Sequence, residues 1–186
     1  TTYTDITYSS RPNYQGMQYT SELTMQQERL LPVLDMKMDI TVPPDATAAQ
    51  RQPLVIFIHG GSFMNGDKSL VSDNVLPYAL SGYITASINY RLTADNDTNP
   101  QLRLLAIKCA IEDAQNAVRF LKKNAVQYHI DTTRIAVMGR SAGGYMTLFN
   151  AIQYDEEIVT NDFPGISSKA QAAISTGATL VNEGNA

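Results

Sequence analysis

Apolar and polar residues alternate along Leu34-Asp35-Met36-Lys37-Met38-Asp39-Ile40, the period-two signature of a strand with one wet face. Three later runs, at 54–58, 83–88 and 134–138, are more continuously apolar, as strands buried on both faces are. The segments between and after them predict helices over Asp73 to Ser81, Leu102 to Asn124 and Ala142 to Tyr154. Ala170 to Ser175 predicts a last strand. Residues 1–30 are polar and rich in Tyr and Thr, which predicts an N-terminal arm with an edge strand over Thr4 to Tyr8. Pro43-Pro44-Asp45 marks the turn after the alternating strand. Strands alternating with helices imply an α/β domain spanning 1–186, with a mostly parallel, doubly wound sheet and right-handed crossovers. Ligands of such sheets bind at the carboxyl ends of the strands. His59, Tyr90 and Ser141 all fall at such ends.

Composition narrows the function. A chain of 186 residues is long enough for one proper core, and 44% hydrophobic with 17% charged residues is an ordinary globular balance. The net charge of −4 argues against nucleic acid as a partner. A single cysteine, Cys109, excludes an intrachain disulfide framework and reads as a small buried residue on a helix. No apolar run approaches the ~18–20 residues of a membrane span. The sequence shows no metal-ligand cluster, phosphate loop or cofactor motif, so no cofactor or metal is expected. The chain begins at Thr1 rather than methionine, so a targeting signal is not legible, and cytoplasmic and secreted locations both stay open. Asn96-Asp97-Thr98 fits the three-residue pattern of an N-glycosylation acceptor.

The chemistry concentrates in two motifs. Gly139-Arg140-Ser141-Ala142-Gly143-Gly144 follows a predicted strand and opens a predicted helix. Strand, G-x-S-x-G and helix make a nucleophile elbow, in which small neighbours leave Ser141 exposed at a tight turn. The first N–H groups of the helix then point toward the same spot. The second motif, His59-Gly60-Gly61-Ser62-Phe63, ends the apolar run Pro53 to Ile58. Its glycine N–H groups can donate to a developing oxyanion, with Ala142 supplying the other half of the hole. The two motifs stand about 80 residues apart, in the order such a site requires.

On these residues the chain resembles the α/β-hydrolase superfamily, in particular the hormone-sensitive-lipase-like and feruloyl or acetyl esterase-like carboxylesterases. Asn89-Tyr90-Arg91-Leu92 is similar to that family's strand ending in Y-R-L. Asp113-Ala114 with Ala117 to Leu121, and Ile130 to Gly139, resemble its approach to the elbow. The resemblance spans roughly residues 30 to 180. It implies a serine esterase acting on short-chain or small aromatic carboxylic esters, with Ser141 as nucleophile and Gly60, Gly61 and Ala142 as oxyanion hole. His59, Phe63 and Tyr90 are candidate substrate contacts. His59 is alternatively a support for the loop, and Phe63 with Met64 alternatively closes it over the core. Arg91 reads as an ion-pair or loop anchor before a pocket residue. Asp113 reads as a hydrogen-bond partner of backbone or arginine, and Asp67-Lys68 as a solvated turn.

The resemblance also implies an acid and then a histidine after the serine. No histidine follows Ser141. His129 precedes the strand leading to the elbow; five residues of strand put it roughly 15 Å or more below Ser141, beyond the ~3 Å reach of a general base. Candidate acids are Asp155, Glu156, Glu157, Asp162 and Glu183, of which Glu183 is best placed and the others read as solvated loop charges. Triad acid and base are therefore expected outside this chain, with the C-terminal strands missing. Three readings follow: part of a complete esterase, a natural short form that binds or regulates, or a fold completed by a second chain or oligomer. The last strand carries no Lys or Pro to blunt its edge, which favours the first or a covering partner.

Overall fold

The computed structural model describes residues 1–15, 27, 29–93, 98–155 and 162–178. Its strands are β1 (Thr2–Pro12), β2 (Val33–Thr41), β3 (Gln52–Ile58), β4 (Ile84–Ile88), β5 (Ile130–Arg140) and β6 (Ala172–Thr176). Its helices, among the described residues and beside a 3-10 turn at Lys68–Val71, are α1 (Ser72–Leu80), α2 (Pro100–Lys123) and α3 (Ala142–Ile152). The strands form one sheet in the order β1-β2-β4-β3-β5-β6. The β1–β2 and β2–β4 pairs are antiparallel; β4, β3, β5 and β6 run parallel.

The sheet is covered on both faces, as a doubly wound fold requires. Leu54, Ile56 and Ile58 of β3, with Ile135 and Val137 of β5, enter the larger core beneath α2 and α3. The intervening Val55, Phe57, Ala136 and Met138 face Val75 and Tyr78 of α1. This alternation is the strand's period of two. It continues past Met138, so Arg140 projects on the α1 face, beside the end of β3.

Several boundaries differ from the sequence expectation for identifiable reasons. β1 runs from Thr2 to Pro12, well beyond Thr4 to Tyr8, because β2 supplies cross-strand partners for its polar residues. Lys37 Nζ donates to Thr7 Oγ1 at 2.5 Å, and Ser10 Oγ to Asp35 at 2.6 Å. α2 starts at Pro100 because Asn99 caps it, accepting from the N–H groups of Gln101 and Leu102. Proline suits the first helical position because its missing N–H is one the helix could not satisfy. β5 begins at Ile130, and the polar stretch that hides this start lies within a register shift opposite Gln52 and Leu54. β6 forms the sheet edge, with Ile174 exposed.

Candidate active site

Ser141 joins β5 to α3 with φ 55° and ψ −120°. A positive φ on a residue with a side chain costs ~1–3 kcal/mol and needs surrounding structure to impose it. Here the imposition comes from close packing of α3. A Cβ on Gly143 would strike the carbonyls of Ile58 and His59, so the helix start lies directly against the end of β3. The N–H of Ser141 donates to the carbonyl of Thr176 at 2.9 Å, tying the elbow to the end of β6. Ser141 itself is exposed. The N–H of Ala142, in the first turn of α3, lies where helices have no internal acceptor.

The loop after β3 comes up beside it. Gly61, Ser62 and Phe63 have φ of 124°, 55° and 63°, three left-handed residues in succession. A Cβ placed on Gly60 would lie 3.4 Å from the Ser141 Cβ and 3.0 Å from the Arg140 carbonyl oxygen. A side chain at position 60 would be in ordinary contact with the serine and tight against the Arg140 carbonyl, which must give by a few tenths of an ångström.

Tyr90 contacts this loop directly, while Asn89 and Arg91 on either side of it fasten the segment to the 3-10 turn and to α2. Asn89 accepts from the Lys68 N–H at 2.6 Å and donates to Asp67 at 3.0 Å. Tyr90 donates its hydroxyl to the His59 carbonyl at 3.1 Å and stacks on the His59 ring at 4.4 Å. Arg91 pairs with Asp113, whose carboxylate accepts from the Arg91 N–H at 2.8 Å and from its Nη2 at 2.9 Å. Burial works against the Arg91 charge, yet the adjoining Asp113 carboxylate raises its pKa further. Glu112, within 2.5 Å of Arg91, is pushed up by burial.

The expected substrate contacts divide. His59 lines a cavity of about 600 Å³ beside Ser141, together with Gly60, Gly61, Asn65 and Arg140. Its ring is 1% exposed, and Nδ1 lies 2.6 Å from the Gly60 carbonyl, which accepts only, so Nδ1 carries the proton. Nε2 is buried with no hydrogen-bond partner, and burial lowers the ring's pKa. Phe63 lines a smaller cavity of about 150 Å³ on the other side, with Arg103, Ala142 and Tyr145. Tyr90 lines neither cavity; at 2% exposure it lies beneath the loop. Its place at the strand end did not reveal which way the ring turns.

The charges read as solvated have partners. Asp67 caps the 3-10 turn, and the Ser69 N–H leads the hydrogen bonds that draw its carboxyl from 3.8 to about 2. Lys68 Nζ bonds Asp39 at 2.7 Å and Asp5 at 3.1 Å. The turn is thus pinned to β1 and β2. Asp155 accepts from the Ser168 N–H at 2.6 Å and pairs with Arg119. Asp162 pairs with Arg11 at 2.8 Å and accepts from Ser9 at 2.7 Å. Such long-range pairings leave no local signal in a sequence. Glu156, Glu157, Glu183, Asn96 and Asp97 lie outside the described residues. His129 stands just before β5, and the whole strand separates it from Ser141. Cys109 is buried on α2. No helix among the described residues is long and apolar enough to cross a membrane.

A mostly parallel sheet with helices on both faces, a strained serine between strand and helix, and a glycine loop against that serine define the α/β-hydrolase fold. Residues 38–181 match the BD-FAE family, and the chain belongs to it. Esterase LipI of Mycobacterium tuberculosis is 27% identical over 148 residues, which cover 71% of this chain and 43% of LipI. LipM of the same organism, a probable carboxylic ester hydrolase, is 28% identical over 74% of this chain and 30% of its own length. Among solved structures, an esterase of Thermogutta terrifontis with propionate bound superposes with a TM-score of 0.68 at 26% identity. That match covers 81% of this chain and 53% of the esterase. The chain thus spans about half the length of these relatives, or less.

Proposed function

We propose that the protein hydrolyses short-chain or small aromatic carboxylic esters through an acyl-enzyme on Ser141. The serine oxygen attacks the ester carbonyl, and the N–H of Ala142 with that of Gly60 or Gly61 receives the oxyanion. The alcohol leaves, and water then releases the acid. His59 and Tyr90 act as supports of the oxyanion loop. The observation that supports this reading is the closeness of the loop to the serine, since a Cβ on Gly60 would lie 3.4 Å from the Ser141 Cβ. The propionate in the Thermogutta esterase supports a short acyl group. The general base comes from outside the described residues or from a second polypeptide, because His59 is engaged beneath the loop and His129 lies at the far end of β5.

That same placement of the two histidines favours a second reading, a relative that binds an ester or a protein without turning it over. Hydrolysis of p-nitrophenyl acetate and butyrate by the chain and by Ser141→Ala separates them. The esterase reading expects saturable turnover that falls with the alanine variant. Equal rates would leave only the binding reading, since an oxyanion hole without its triad still gives some 10³–10⁴-fold over water.

A further inference from the structure

We propose that Arg140 makes this site select esters that carry a carboxylate a few bonds from the reacting carbonyl, an inference that rests on the esterase reading of Ser141. Arg140 continues the Ala136 and Met138 side of β5, so its side chain projects on the α1 face of the sheet. There it lines the 600 Å³ cavity that also reaches Ser141. Arginine keeps its charge at any working pH. Burial lowers the pKa of His59, and Arg140 is the only arginine, lysine or carboxylate side chain among the described residues lining this cavity. The polar remainder, Asn65, Asn74 and Thr176, can donate hydrogen bonds, and no carboxylate is among them.

Among the described residues Arg140 is also unspent. Arg91, Arg119 and Arg134 each hold a carboxylate. Arg140 is exposed and has no hydrogen-bond or ion-pair partner among the described residues. In a chain of net charge −4, the Arg140 guanidinium gives the larger cavity beside the nucleophile a local sign opposite to the whole, while Arg103 lines the smaller one. A planar fork of donors suits a carboxylate in particular. The narrower cavity, on the far side of Ser141, takes the other part of the ester.

Binding tests this apart from turnover. The full chain carrying Ser141→Ala is titrated with monomethyl glutarate and with neutral dimethyl glutarate, followed by NMR line shifts or calorimetry. The expected result is preference for the monoacid, reduced about tenfold by Arg140→Gln and kept in part by Arg140→Lys. The preference should also fall with added salt. Arg134→Gln, which removes the same charge six residues earlier in β5, should leave it unchanged. Equal binding of the two esters, or an Arg140→Gln protein that keeps the full preference with an unaltered melting temperature, overturns the inference. A preference that tracks Arg140 while Ser141 shows no role in turnover would sustain the anion site and refute the esterase reading alone.

Discussion

Asp113→Ala should be among the most damaging single substitutions in this chain. Asp113 is fully buried and Arg91 is 3% exposed. The carboxylate accepts from Arg91 Nε at 2.9 Å, from Nη2 at 2.9 Å and from the Arg91 backbone N–H at 2.8 Å. Removing one member of a buried pair costs ~3–5 kcal/mol because the other charge stays buried. Glu112 still touches Arg91, so the charge is not wholly abandoned and the lower end, about 3 kcal/mol, applies. For a domain of this size that corresponds to a fall in Tm of roughly 6–12 °C. Urea unfolding at pH 7 measures it directly, with the slope m expected to stay constant. Arg91→Met combined with Asp113→Ala should be less destabilised than the sum of the two single variants, since the pair is removed together. A loss below about 1 kcal/mol for Asp113→Ala, or strict additivity in the cycle, would refute the claim that this pair anchors the Tyr90 segment.

Three smaller perturbations probe the remaining supports. Tyr90→Phe removes the donor to the buried His59 carbonyl and should cost ~1–2 kcal/mol in chemical denaturation, with the fold kept by circular dichroism. Gly143→Ala drives a Cβ into the Ile58 and His59 carbonyls, backbone that cannot swing aside; ~1–3 kcal/mol or more should be lost, read as a lowered Tm. The Asp67 carboxyl is depressed from 3.8 to about 2, so its contribution is present above about pH 4 and disappears as pH falls toward 2. Asp67→Asn should flatten the acid limb of a stability-versus-pH curve in part only, because Asp131 is lowered to the same value, chiefly by its hydrogen bonds to Thr133.

The alternating and continuous apolar runs placed the strands of the sheet, because burial of strand faces is written in local order. The two glycine motifs named Ser141, Gly60, Gly61 and Ala142, because an elbow and a close backbone approach tolerate few residue types. What stayed hidden depended on partners far along the chain. The length of β1 rests on Lys37 and Asp35 across the sheet. The roles of Asp155 and Asp162 rest on Arg119 and Arg11. The direction of the Tyr90 ring was illegible because alternation stops where β4 ends. The start of β5 was masked by Asp131, Thr133 and Arg134, which bond one another as residues of a turn do.

The most direct test is to map where p-nitrophenyl acetate acylates the protein. Its phenolate leaves without needing a proton, so the first step needs no general acid, and without a well-placed base the later release of the acyl group by water is slow. Peptide mass spectrometry after rapid mixing should find the acetyl group on Ser141 and lose it in Ser141→Ala. Acetylation confined to lysines, with Ser141 unmodified in a folded sample, would contradict the account.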